Sequence, residues 1–152
     1  MFLLDTNHCS KIINRDGNCL SKLSEYKNEK FMISSVVCGE LYFMAGNSEY
    51  EEANLAKVKN FINNIDILDV DNDVAEIYGK LKAKLYNILH GDRRRRKKEF
   101  KKLNIYENDL WIAATAIKND LTIISSDSDY NNISRAHPLR TESWVNPPAT
   151  GT

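Results

Sequence analysis

The sequence predicts a three-layer α/β sandwich with a mostly parallel central sheet. Short apolar segments alternate with longer segments of helical periodicity along the 152 residues, and this alternation favours helices packed on both faces of one sheet. The clearest apolar segment is LTIISSD at residues 121–127, whose β-branched run indicates a buried parallel strand. Because ligands bind outside the carboxyl ends of the strands in such sheets, the residues after each strand are the first candidates for a functional site.

The N-terminal half of the chain is predicted to form three strands and three helices. The predicted strands are Phe2–Asp5, Phe31–Ser34 and Ile67–Val70. The predicted helices are Asn7–Ser24, Val36–Gly46 and Tyr50–Asn64. Helical spacing is clearest around the last of these segments, where apolar residues recur every three or four positions. These residues are Leu55, Val58, Phe61, Ile62 and Ile65.

The C-terminal half begins with a predicted helix over Asp71–Leu89, which polar residues at its start would cap. The following segment, His90–Lys102, is predicted to be a loop or an extension of that helix. A further helix begins near Asp109 and is apolar on nearly every side, which indicates a buried helix. Two strands follow, at residues 121–127 and at Leu139–Thr141.

Length and composition indicate a single globular domain. The chain has 42% hydrophobic and 28% charged residues, which is ordinary for such a domain. We expect the domain to span residues 1–146 and a flexible tail to span residues 147–152. No apolar run is long enough for a bilayer, and the N-terminus has no signal-peptide core. Cys9, Cys19 and Cys38 lack disulfide or metal spacing, so we expect reduced, mostly buried thiols and a cytoplasmic protein with no membrane partner.

The net charge of zero hides one strongly basic segment. Residues 93–102 hold eight of the 21 basic residues and one of the 21 acidic residues. The rest of the chain therefore has 13 basic and 20 acidic residues, a formal charge of −7. Such a block is either a solvated loop or a contact to the phosphate backbone of nucleic acid. The candidate contact residues are Arg93, Arg94, Arg95, Arg96, Lys97 and Lys98.

Four carboxylates from distant segments are predicted to meet at one edge of the sheet. Each either ends a predicted strand or lies near the start of a helix beside one. They are Asp5, Glu40, Asp109 and Asp127. Converging carboxylates repel one another and are costly to bury, and a divalent cation removes both costs. Because the ligands are all oxygen atoms, they favour Mg²⁺ or Mn²⁺ over zinc.

This set of residues suits metal-assisted hydrolysis of a phosphodiester, which needs no protein nucleophile. The sequence contains no nucleophile elbow and no glycine-rich phosphate loop. His8, His90 and His137 are isolated from one another, and we interpret each as a structural or surface residue.

Two of the acidic residues have simpler interpretations. Asp109 can cap its own helix, where negative charge favours the helix dipole. Asp129 follows Asp127 by two residues and either shares the metal site or caps the turn at Tyr130. Asp127 is the stronger candidate because it lies nearer the end of the strand.

Four blocks of the sequence, in order and spacing, resemble the signature blocks of PIN-domain ribonucleases, and in particular the VapC-like toxins. The blocks are LLDTN at 3–7, SSVVCGEL at 34–41, ENDLWIAATAI at 107–117 and TIISSDSDY at 122–130. The closing LRTESW at 139–144 also resembles the end of that family.

The resemblance implies a PIN-like fold and a Mg²⁺- or Mn²⁺-dependent endonuclease that cleaves single-stranded or structured RNA. It also implies a toxin that forms a homodimer and is inhibited by a small antitoxin protein. By position, Asp5 and Asp109 match the most direct metal ligands, and Glu40 and Asp127 complete the acidic quartet. Thr6 matches a hydroxyl residue that supports the site.

The basic segment before Asp109 is longer than the link in many VapC-like toxins. It would contact RNA close to the acidic pocket, or else an acidic part of the antitoxin. Other functions remain as alternatives: an RNA-processing or DNA-directed nuclease outside a toxin system, an inactive PIN-like protein, or a non-catalytic acidic α/β module. A phospho-acceptor module would need a lysine after a late strand, where this sequence has Ser128 and Asp129.

Overall fold

The computed structural model of the protein describes residues 1–90 and 107–145. Within these ranges, the chain forms five strands and seven α-helices. The strands are β1 (Phe2–Leu4), β2 (Phe31–Ser34), β3 (Asp66–Leu68), β4 (Thr122–Ile124) and β5 (Thr141–Glu142). The helices are α1 (Thr6–Ile13), α2 (Gly17–Glu25), α3 (Ser35–Gly46), α4 (Glu51–Ile62), α5 (Asn72–His90), α6 (Glu107–Lys118) and α7 (Asp129–Ser134).

The strands form one sheet in the order β3-β2-β1-β4-β5, and every pairing is parallel. The register places Leu3 of β1 opposite Met32 of β2 and Ile123 of β4. The predicted α/β class is confirmed, and the sheet formed by the described strands is wholly parallel rather than mostly so. Strands β2 and β3 lie on one side of β1, and β4 and β5 lie on the other side. The order of the strands therefore reverses between β1 and β4, which is where ligands bind in parallel sheets.

Helix α6 is buried against the sheet, as its apolar sequence predicted. Its buried side chains are Leu110, Ile112, Ala113, Ala114, Thr115 and Ala116. They join a core that includes the fully buried Leu3 and Ile123 of the two central strands. Since α6 leads into β4 from the opposite direction, its first turn lies at the carboxyl edge of the sheet.

The single helix predicted over Asn7–Ser24 is wrong, because the chain turns between α1 and α2. Arg15 has a φ of 60°, a left-handed conformation that ends a helix and is uncommon for a residue other than glycine. Asp16 then caps the new helix, with its side chain accepting the backbone N–H of Cys19 at 3.0 Å.

Other predicted boundaries shift by a few residues. The third strand begins and ends earlier than Ile67–Val70, the strand within residues 121–127 is only three residues long, and the last strand follows Leu139 instead of starting there. The short helix α7 was not predicted. Residues 91–102 and the predicted tail at 147–152 lie outside the described residues. None of the described helices is long and apolar enough to cross a membrane, and the three cysteines are free thiols.

Candidate active site

A cavity of about 620 Å³ opens at the carboxyl edge of the sheet, beside the ends of β1 and β4. Four carboxylates from four separate segments of the chain line it. They are Asp5, Glu40, Asp109 and Asp127. The structure therefore brings these four acidic residues into one pocket, at the position where the strand order reverses.

Asp5 is held from both sides by neighbouring elements. It follows β1 directly, is 5% exposed, and donates its backbone N–H to the carbonyl of Ile124 at 3.1 Å. Its Oδ1 accepts the backbone N–H of His8 at 2.8 Å, so Asp5 caps α1. Its Oδ2 accepts the hydroxyl of Ser125. The carboxylate is thus fixed between α1 and the end of β4.

Ser125 also orients the acidic loop after β4. Its Oγ accepts the backbone N–H of Asp127 at 3.0 Å, and Asp127 Oδ1 accepts the backbone N–H of Asp129 at 2.9 Å. Asp109, Asp127 and Asp129 offer carboxylate oxygens that all lie within 4.8 Å of one another. The sequence favoured Asp127 over Asp129, whereas the structure places both beside Asp109.

Glu40 is anchored by two hydrogen bonds from different segments. Ser34 ends β2 and caps α3, because its Oγ accepts the backbone N–H of Val37 at 3.2 Å. The helix then carries Glu40 to the pocket, where one carboxylate oxygen accepts the Thr6 hydroxyl. The other accepts Nδ2 of Asn108 at 2.6 Å. Thr6 thus orients the carboxylate of Glu40, and the Asn108 hydrogen bond connects α3 to the first turn of α6.

Asp109 is the most strongly perturbed of these groups. Its burial raises the pKa of its carboxyl from 3.8 to about 7, and the negative charges of Asp127, Asp129, Glu40 and Asp5 contribute in that order. Helix capping would have lowered the pKa, because the helix N-terminus favours the charged form. Burial and like charge therefore outweigh the helix dipole here. Strongly shifted pKa values cluster at functional sites, so the raised pKa of Asp109 makes this pocket a candidate active site.

Tyr130, on α7, brings a buried hydroxyl close to the acidic residues. The side chain is 2% exposed, and its hydroxyl has no hydrogen-bond partner within residues 1–90 and 107–145. Burial raises its pKa well above the usual value, and the charges of Asp109, Asp5, Asp127 and Glu40 raise it further. A buried hydroxyl is costly to leave unpaired, so this position suits a bound water or another polar group.

Several contributing residues escaped the sequence analysis. Asn108 was not assigned to the site from the sequence, although its position beside Asp109 was an available signal. Ser125 lies in the strand segment 121–127 and gave no signal, because contacts made by a buried hydroxyl cannot be read from sequence. Tyr130 was noted only as a turn residue. The basic candidates Arg93–Lys98 lie outside the described residues.

The mouth of the cavity has an apolar side formed by α3. This helix buries Val37, Leu41 and Ala45. It leaves Phe43 72% and Met44 45% exposed, and both line the cavity one turn beyond Glu40. An acidic floor therefore adjoins an exposed aromatic ring.

Comparison with known proteins assigns the chain to one family, which is consistent with its fold and its acidic pocket. Residues 2–136 match the model of the PIN domain, which defines the class of this protein as a PIN-domain protein. The chain is 34% identical to Ribonuclease VapC2 of Haemophilus influenzae (strain ATCC 51907 / DSM 11121 / KW20 / Rd) over 95% of its length and 98% of that protein. It is also 29% identical to the tRNA(fMet)-specific endonuclease VapC of Shigella flexneri, over 94% and 97% of the two chains.

A solved structure supports the same relationship. The chain of VapBC2 from Rickettsia felis, crystallised bound to a DNA fragment from its promoter, superposes with a TM-score of 0.74 at 29% identity, covering 95% of this chain and 98% of that one. The chain therefore belongs to the VapC ribonucleases of the PIN-domain family, the toxins of VapBC toxin–antitoxin systems. The resemblance drawn from the four sequence blocks is confirmed.

Proposed function

We propose that this protein is an endoribonuclease that hydrolyses RNA phosphodiester bonds at the acidic pocket, with Mg²⁺ or Mn²⁺ bound there. The observation that carries the proposal is the convergence of Asp5, Glu40, Asp109 and Asp127 on one cavity, with the pKa of Asp109 raised to about 7. A carboxyl with such a pKa is only partly ionised near neutral pH unless a cation compensates the charge.

The residues of the pocket fit a hard divalent cation. Its charged groups are carboxylates, the ligand type that Mg²⁺ and Mn²⁺ prefer. Asp5 and Asp109 would be direct ligands, Asp127 and Glu40 would complete the set, and Asp129 would assist. Such an ion, when bound, lowers the pKa of a water and stabilises charge on the leaving oxygen.

The protein's own residues supply orientation. Ser125 holds Asp5 and the backbone of Asp127 together, and Thr6 with Asn108 holds both oxygens of Glu40. Carboxylates fixed before the ligand arrives need no reorganisation during the reaction, which favours catalysis.

The apolar mouth supports a single-stranded or unpaired stretch of RNA as substrate. Unpaired bases stack on exposed aromatic rings, and Phe43 offers such a ring beside the acidic floor. The basic block Arg93–Lys98 would contact the phosphate backbone. A relative that is named for cleaving tRNA(fMet) makes tRNA the first structured RNA to test.

We also propose that the protein acts as a homodimeric toxin with a small cognate antitoxin. Its relatives from Rickettsia felis and Salmonella typhimurium were both solved as VapBC assemblies on DNA. Co-expression with the protein encoded beside it, followed by measurement of RNA cleavage and assembly mass, tests this part.

The decisive experiment measures cleavage of tRNA, of single-stranded RNA and of single-stranded DNA by purified protein, with Mg²⁺, Mn²⁺ or EDTA. Asp109→Asn should abolish the metal-dependent cleavage, whereas the matched control Asp69→Asn removes an exposed carboxylate and should leave it unchanged. Preferential cleavage of DNA would contradict the RNA assignment. Equal cleavage by wild type and Asp109→Asn, or no cleavage of any substrate, would contradict the proposed site.

A further inference from the structure

His8 lies buried between the acidic pocket and the end of the described chain. Its side chain is 0% exposed and sits one turn after Asp5 on α1. Ring atom Nδ1 lies 3.0 Å from Asp5 Oδ1, and ring atom Nε2 accepts the backbone N–H of Trp144 at 3.3 Å. The imidazole therefore bridges Asp5 and the C-terminal segment.

These two contacts define the tautomer of the ring. The backbone N–H of Trp144 can only donate, so Nε2 of His8 must present a lone pair. Nδ1 then carries the ring proton and donates it to Asp5. Both nitrogens are satisfied in the neutral ring, as burial requires.

We propose that His8 is a positioning residue for Asp5. This inference rests on the proposed function, which assigns Asp5 to the active site. Asp5 Oδ1 accepts two N–H groups from the same residue, the backbone of His8 at 2.8 Å and its ring at 3.0 Å, which occupy both lone pairs of that oxygen. Oδ2 accepts the Ser125 hydroxyl and keeps one lone pair. His8 thereby fixes the carboxylate with one free lone pair on Oδ2 for a ligand in the pocket.

Trp144, whose backbone N–H donates to Nε2 of His8, is held in place by contacts that lie away from the pocket. Trp144 is 4% exposed, and its ring stacks on Tyr26 with a centroid separation of 5.8 Å and an interplanar angle of 9°. Glu142 Oε1 accepts both the Trp144 indole N–H and the Tyr26 hydroxyl at 2.9 Å. The packing of the C-terminal segment thus sets the direction of the backbone N–H that holds His8.

Three substitutions of His8 test whether it positions Asp5 or only fills space in the core. His8→Asn places an amide N–H near the position of Nδ1 and keeps the donor to Asp5. His8→Gln places its amide near Nε2 instead, and His8→Phe keeps the ring volume without either polar atom. His137→Phe is the matched control, because His137 is exposed and contacts the carbonyl of Pro138.

We expect His8→Phe and His8→Gln to lower both kcat/KM for RNA cleavage and the affinity for Mn²⁺ by about ten- to a hundredfold, as loss of an orienting partner does at metal sites. His8→Asn should retain most of both quantities. Thermal unfolding checks that each variant is folded. If His8→Phe does not fold, the comparison of His8→Asn with His8→Gln, two amides of similar polarity, still decides the question.

The ¹⁵N chemical shifts of the His8 imidazole report which ring nitrogen carries the proton. A side chain that only fills space in the core would not require one particular tautomer. The His8 signals, assigned by their loss in His8→Asn, should show a protonated Nδ1 and an unprotonated Nε2. The opposite tautomer, or equal Mn²⁺ affinity and kcat/KM in His8→Asn and His8→Gln, would overturn the inference. If the wild type cleaves no RNA, the proposed function fails, while the tautomer and the Mn²⁺ affinities still test His8 separately.

Discussion

Asn108 donates a hydrogen bond of 2.6 Å from Nδ2 to Oε1 of Glu40, and so joins helices α6 and α3 across the acidic pocket. The two residues are 68 positions apart in sequence. The contact lies at the residue directly before Asp109, so it fixes the spacing between two of the proposed catalytic carboxylates.

Removing this hydrogen bond should impair catalysis more than stability. Loss of a hydrogen bond that orients a carboxylate at a metal site typically costs about ten- to a hundredfold in activity, so we expect Asn108→Ala to lower kcat/KM for RNA by roughly tenfold or more. Asn108 is exposed, so the melting temperature should change little. Asn64→Ala, which removes an exposed amide bonded to the carbonyl of Asn60, is the control. Equal activity of both variants would mean that Asn108 does not orient Glu40 in the reacting complex.

The raised pKa of Asp109 predicts a pH-dependent stability. In the folded, metal-free protein the pKa is about 7, and in the unfolded chain it is near the ordinary 3.8. Above pH 7 both states are ionised, so the folded state bears the full cost of the buried charge. This cost declines as the pH falls from about 7 to about 4 and is absent below that range, where both states are protonated.

Asp109→Asn should therefore stabilise the protein in EDTA at about pH 8. Allowing for solvent screening, the gain is ~2 kcal/mol, and it should vanish near pH 4. Thermal or urea unfolding of the wild type, Asp109→Asn and Asp69→Asn across this range measures the difference. A gain that does not change with pH would show that Asp109 is ionised at no unusual cost.

The acidic site could be found from sequence because its position follows from topology. Asp5 and Asp127 each follow a strand, and in a parallel sheet the carboxyl ends of all strands meet at one edge. Asp109 opens a buried helix that returns to that edge. No knowledge of side-chain conformation is needed for these three residues.

The other features of the site and fold depend on side-chain contacts and backbone conformations that local sequence patterns do not reveal. Ser125 and His8 act through specific side-chain hydrogen bonds to Asp5, and the alternation of apolar residues says nothing about such contacts. The break between α1 and α2 had one visible signal, the Asp16–Gly17 pair, which is typical of turns. Its left-handed residue, Arg15, gave none, because arginine rarely adopts that conformation.

Phe43 is expected to contribute to RNA affinity. Its ring is 72% exposed at the mouth of the pocket, and stacking of one base on an aromatic ring is worth about 1 to 3 kcal/mol. Phe43→Ala should therefore weaken binding of catalytically inactive protein to single-stranded RNA by about tenfold. The control is Tyr50→Ala, since Tyr50 is 70% exposed but does not line this cavity.

Fluorescence anisotropy measures the RNA affinity of each variant, and analytical ultracentrifugation measures its oligomeric state. Equal RNA affinity of the two variants would exclude base stacking on this ring. If Phe43→Ala changes the oligomeric state and not the RNA affinity, the exposed face of α3 is instead a contact between subunits.

The basic block, Arg93–Lys98, gives a prediction from charge alone, since it lies outside the described residues. For each phosphate of a single strand that the protein no longer neutralises, the slope of log affinity against log salt becomes shallower by about 0.7. Replacing Arg93, Arg94, Arg95 and Arg96 by glutamine should therefore weaken RNA binding at low salt and flatten its salt dependence. Replacing the exposed Lys27, Lys57, Lys59 and Lys84 by glutamine removes the same charge from elsewhere and should have a smaller effect. If RNA affinity at low salt is unchanged in the arginine variant, the block does not contact RNA, and its binding to the cognate antitoxin becomes the interaction to measure.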